Sequence, residues 1–155
     1  MKEESLWLKQ AKEDLKTAQA NLKLKIYYAA AFFAHQSAEK SFKAVCIRKF
    51  GELVKVHDLV FLAKKAGAPE NLLGGCKFLN RVYIEARYPS ELNSPSDLFS
   101  EQDASKCIEI ALYKARQAYP AFAGSQQNLV KNKITGSANG IGIINNMHRS
   151  CLICG

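Results

Sequence analysis

Apolar residues recur along this chain at the three- and four-residue steps of a helix, and no segment alternates as a half-buried strand would. Over residues 5–23 a stripe of Leu8, Ala11, Leu15, Ala18 and Leu22 leaves Lys9, Lys12, Glu13 and Lys16 for solvent. A second helix is predicted from about residue 26 to Phe50, where Gly51 supplies the stop. Tyr27 to Ala34, Ala38, Phe42, Ala44 and Val45 give it apolar residues on several sides. Such a helix belongs at the centre of a bundle.

A short helix follows over residues 58–66 and ends at Gly67. Pro69 then suits the first turn of a fourth helix, whose stripe is Leu72, Cys76, Leu79, Tyr83 and Ala86. Gly74 and Gly75 weaken its start. Pro89 and Pro95 break the pattern, and Ser94-Pro95-Ser96-Asp97 reads as loop. Ser100-Glu101-Gln102-Asp103 matches a capping box at the head of the last helix, which carries Ala104, Cys107, Ile108, Ala111, Leu112, Ala115 and Ala118 and stops before Pro120. The predicted fold is all-α: an up-and-down bundle of four long helices plus one short helix, occupying residues 1–123.

Residues 124–155 have another character. They hold five of the nine glycines, five asparagines and no aromatic residue, so they read as a flexible basic tail or as a segment foreign to the domain. The tail also changes how the net charge of +8 is interpreted. Residues 1–123 carry 19 basic against 14 acidic side chains, whereas the tail has Lys131, Lys133 and Arg149 and no acid. This balance permits a polyanionic partner without demanding one. The longest apolar run, residues 26–34, is too short to span a membrane, and the polar, acidic start does not resemble a signal peptide. Five scattered cysteines without framework spacing fit a reducing compartment, and a cytoplasmic location is expected.

The densest polar constellation lies on the second helix. His35, Glu39 and Lys43 succeed one another at four-residue steps and share a face, and Gln36 and Lys40 form a neighbouring pair. Ionisable groups on a largely apolar helix are costly unless paired or placed for function. Lys40 or Lys43 could contact an anion with Glu39 fixing them; the plainer reading is an ion-pair ladder at a surface or dimer seam. His57 could act as acid, base or ligand beside Asp58, or Asp58 could simply cap the short helix with His57 packed against it. Arg87 could bind an anion or answer the end of the fourth helix. In the tail, His148, Cys151 and Cys154 have the local spacing of part of a zinc site, but no fourth ligand accompanies them. No metal and no cofactor is implied.

The run Tyr28-Ala29-Ala30-Ala31-Phe32-Phe33-Ala34-His35-Gln36-Ser37-Ala38-Glu39-Lys40-Ser41-Phe42-Lys43-Ala44, followed by Gly51, His57-Asp58-Leu59 and Arg87-Tyr88-Pro89, resembles the HEPN family of small prokaryotic helical domains. The resemblance covers roughly residues 6–119. It implies a bundle that commonly dimerises, and often a minimal nucleotidyltransferase as partner in a toxin–antitoxin-like pair. Some members are metal-independent ribonucleases with an Arg and a His four to six residues apart. This chain departs from that pattern, because eight residues separate Arg48 from His57 and no His follows Arg81, Arg87 or Arg116 before His148. The expected function is therefore a non-catalytic module that dimerises and binds a nucleotide, a nucleotidyltransferase, or both. Its expected ligand-binding residues are His35, Gln36, Glu39, Lys40, Lys43, His57 and Arg87. Ribonuclease action on RNA is the alternative. A third reading is a basic bundle that binds nucleic acid weakly and with steep salt dependence.

Overall fold

The computed structural model describes residues 3–118, and within them the chain is helical without strands. Helix α1 spans Glu3–Lys23, α2 Tyr27–Phe50, α3 Leu59–Ala66, α4 Leu73–Glu85, α5 Pro95–Leu98 and α6 Glu101–Ala118. Four of these are long, α3 is the expected short helix, and together they form the all-α bundle that the periodicity predicts. The boundary at residue 123, the tail and the His148, Cys151 and Cys154 spacing lie outside the described residues.

Local chemistry sets most of the helix ends. Gly51 and Gly67 take left-handed conformations, with φ of 72° and 76°, and close α2 and α3. Asp58 caps α3 by accepting from the amides of Val60 and Phe61 at 2.7 and 3.0 Å. The capping box heading α6 is also present: Asp103 accepts from the Ser100 amide, and Ser100 Oγ accepts from the Asp103 amide. The α1–α2 turn uses no glycine. Lys25 adopts φ 61° there, and the Ile26 and Lys25 amides donate back to the Asn21 and Leu22 carbonyls.

Two local expectations need correction. Ser94-Pro95-Ser96-Asp97 is not plain loop, because Pro95–Leu98 makes one helical turn. Proline at the first helical position costs no hydrogen bond, and Ser94 and Asp97 cap each other. Pro69 does not sit in the first turn of α4; it precedes a 3-10 turn, Glu70–Leu72, that leads into it.

Helix α2 packs against α1, α3, α4 and α6, which accounts for its broad apolar content. Ala30, Ala31, Ala34 and Ala38 are fully buried, and their small side chains let neighbouring backbones approach. From α1, Ala11, Leu15 and Ala18 meet this core, and Ser37 Oγ ties the pair together by donating 2.8 Å to the Ala11 carbonyl. Leu59, Leu62, Leu79, Cys107 and Ala111 supply the other walls. No described helix is long and apolar enough to cross a membrane.

Candidate functional site

The polar face of α2 divides into two ion-pair systems. Glu39 organises the first, and its side chain is almost completely buried. Lys43 Nζ donates to Glu39 Oε1 at 2.7 Å, as the four-residue spacing predicts. His57, from the segment between α2 and α3, places Nδ1 3.1 Å from both Glu39 oxygens. A carboxylate only accepts, so Nδ1 is the proton donor in this contact. The His57 side chain is 66% exposed, so it does not pack away as the plainer reading of the sequence has it. Lys43 also lies 5.4 Å from the Trp7 ring centroid.

The second system faces α1. Lys40 is not a lone cation: its Nζ is 2.6 Å from Asp14 Oδ2 and donates 2.9 Å to Gln36 Oε1. Gln10 donates to the other Asp14 oxygen at 2.9 Å. Gln36 and Lys40 are thus a pair, and their charge is answered by a carboxylate that the α2 sequence does not contain.

His35 has no exposed surface. Its ring stacks on Tyr83 from α4, with centroids 4.2 Å apart and planes inclined by 17°. Nδ1 stands 3.9 Å from Glu39 Oε2, beyond hydrogen-bonding distance, and neither ring nitrogen has a hydrogen-bond partner. Burial lowers its pKa from 6.5 to about 4 against the opposing pull of Glu39 and of the nearby Asn80 amide, so His35 is neutral near pH 7. His35 therefore belongs to the wall of the site, and does not form the charged rung of a ladder.

Tyr83 joins this wall to Arg87. Phe32 stacks on Tyr83 at 5.9 Å and the His57 ring lies nearly parallel at 6.3 Å. The Arg87 guanidinium is 4.3 Å from the Tyr83 centroid and 4.9 Å from that of Tyr88, and it donates to both phenol oxygens. It has no carboxylate partner among the described residues. Asn80 completes the framework: it accepts from the Leu59 amide and donates to Asp58, locking the start of α3 against α4. The hydrogen bonds that Asp58 accepts, led by the one from the Phe61 amide and joined by those from Asn80 and the Val60 amide, hold its carboxyl below the usual pKa.

Packing therefore brings His35, Glu39, Lys43, His57 and Arg87 into one connected cluster through Tyr83, whereas Gln36 and Lys40 belong to the adjacent Asp14 system. Sequence reasoning missed Asp14, Asn80 and Trp7, and it counted Tyr83 as core only. One signal for Asp14 was available: it sits inside the α1 stripe, next to Leu15 and one turn from Ala11 and Ala18, at a register where a charge needs a partner.

The HEPN domain model matches residues 4–113. The chain belongs to the HEPN family. This HEPN domain is also similar to two solved structures. TT1696 from Thermus thermophilus is 27% identical, with a TM-score of 0.71 over 76% of this chain and 97% of that one. ST0689, an archaeal HEPN homologue, is 28% identical, with a TM-score of 0.67 over 79% and 99%. No curated protein matches the sequence. The matched region contains every residue of the cluster, so the candidate site lies within the HEPN domain itself.

Proposed function

We propose that this HEPN domain is a non-catalytic cytoplasmic module that dimerises and binds a nucleotide, a minimal nucleotidyltransferase partner, or both, in a two-component toxin–antitoxin-like system. The observation carrying the reading is the Glu39-centred cluster, which starts from the polar face of the central helix and reaches the surface at His57 and Arg87. Buried ion pairs add little net stability compared with apolar packing, so a connected set of them beside an unpaired guanidinium is better explained by recognition. Lys40, in the adjacent Asp14 system, approaches a phosphate as a member of an ion pair, whereas Lys43 is buried and holds the Glu39 carboxylate in place. Arg87, held by two phenol oxygens, supplies the charge that no carboxylate among the described residues offsets.

The test is calorimetric titration of the full chain with ATP, alongside co-purification with a nucleotidyltransferase. The reading expects saturable binding to at least one of them, lowered tenfold or more by Arg87→Glu and also weakened by Lys40→Glu. Wild-type protein that engages neither ligand overturns it.

One observation favours the ribonuclease alternative. Glu39 accepts from His57 Nδ1, which leaves Nε2 for proton transfer on a largely exposed ring. That reading expects RNA cleavage in the presence of EDTA, lost in His57→Ala. An RNA substrate left intact by wild-type protein removes it.

A further inference from the structure

A surface groove of about 610 Å³ runs beside the cluster, between the first turns of α2 and the end of α4. This is an ordinary volume for a small-molecule site. Its walls include the rings of Tyr28, Phe32 and Phe33, and the Arg87-Tyr88 pair that follows α4. Tyr28 and Phe32 are one turn apart and present neighbouring rings, while Ala29 and Ala86 leave room between the walls. Tyr88 is 56% exposed, although an aromatic side chain gains most from burial.

Arg87 gives the groove its polar specificity. Two phenol oxygens and two ring faces hold the guanidinium in place, leaving further N–H donors unused. It is the sole cation among the lining residues.

We propose that this groove binds a nucleoside 5′-monophosphate unit, with the base stacked among the rings of Tyr28, Phe32 and Tyr88 and the phosphate on Arg87. The proposal rests on the nucleotide reading above and narrows it to one place and one phosphate. A wholly apolar ligand would take the guanidinium out of water without answering its charge. A planar base bearing an anion satisfies the rings and the guanidinium together, because aromatic faces accept any base and arginine pairs geometrically with phosphate oxygens. With a single lining cation, the second and third phosphates of a triphosphate find no further partner in the groove.

The test titrates the full chain by calorimetry with adenosine, AMP, ATP and a short oligoadenylate. AMP should bind about tenfold more tightly than adenosine, and ATP within a few-fold of AMP. Tyr88→Ala should weaken AMP about tenfold, Tyr88→Phe should restore most of that loss, and Arg87→Gln should shrink the AMP–adenosine gap to under twofold. Binding of free AMP with this sensitivity assigns a mononucleotide. The same sensitivity seen only with oligoadenylate supports the groove and assigns the unit to an RNA strand. Nucleotide binding that ignores Tyr88→Ala and Arg87→Gln but falls in Lys40→Glu overturns the groove and the role given to Arg87 above, and leaves nucleotide binding itself standing on Lys40. Failure of every ligand overturns both the groove and the nucleotide arm of that reading. If Tyr88→Ala abolishes self-association with no effect on nucleotide, the groove belongs to a second copy and the proposal fails.

Discussion

An imidazole sealed in a core with neither nitrogen hydrogen-bonded is tolerable only while it stays neutral, and His35 is in that position. Its folded pKa of about 4 lies below the ordinary 6.5, so between those two pH values the unfolded chain takes up a proton that the folded chain refuses. Stability must therefore fall as pH falls from about 6.5 to 4, and it is unaffected by this group above that window. The depressed carboxyl of Asp58 acts in the same direction but at lower pH, since its contribution is present above the ordinary carboxylate pKa and is lost as pH drops through its folded value. Urea unfolding at pH 7 and pH 5 should differ by about 2 kcal/mol on account of His35. His35→Phe keeps a ring against Tyr83 and removes the proton, so it should flatten that difference. An unchanged pH slope in the variant would show that some other group carries it.

At the level of elements, two neighbouring glycines in α4 separate intrinsic preference from packing. Gly74 has open space where a Cβ would go, so Gly74→Ala should stabilise by up to about 1 kcal/mol through helix propensity. At Gly75 the same methyl would come within 2.9 Å of Ile110 Cγ2 and Lys114 Cε on α6. Lys114 is buried there, and its amine donates to the Leu72 carbonyl, so it has little freedom to withdraw. Gly75→Ala should destabilise by about 1–3 kcal/mol, with the urea midpoints of the two variants moving in opposite directions. From the sequence both glycines look alike, as weak points at a helix start. The same division governs what was legible overall. Helix existence and most ends follow from periodicity, Gly51, Gly67, Asp58 and Ser100, because these act within a few residues of themselves. The Glu39–Lys43 and Gln36–Lys40 pairs were legible for the same reason, being fixed by helical rise. The Asp14–Lys40, His57–Glu39 and His35–Tyr83 contacts join different elements and depend on how the helices dock, which no local spacing encodes. The one-turn α5 escaped because two turn-forming residues and a proline describe a capped helical turn as well as they describe a loop.

At the scale of the whole molecule, the buried thiols report on cooperativity. Cys46, Cys76 and Cys107 are free, have no exposed surface, and come from α2, α4 and α6, so they sample three helices of one core. Burial raises the pKa of all three, that of Cys107 to about 12, and the thiolate is the reactive form. Burial therefore protects them in two ways in the folded chain, by denying access and by suppressing ionisation. A local opening of one helix would expose one cysteine and leave the others silent, whereas global unfolding exposes all three together. Because α2 packs against each of the other long helices, no long helix can leave without uncovering it, and the second behaviour is expected. In a Cys151→Ser/Cys154→Ser background, maleimide labelling at about pH 8, near the ordinary thiol pKa, should be slow in the absence of denaturant. It should then accelerate at one urea concentration for Cys46, Cys76 and Cys107 alike, matching the loss of helical circular dichroism. Mass mapping that finds Cys107 or Cys76 labelled well before Cys46 would instead mean that α6 or α4 opens as a unit of its own, and that the bundle is less cooperative than its central helix implies.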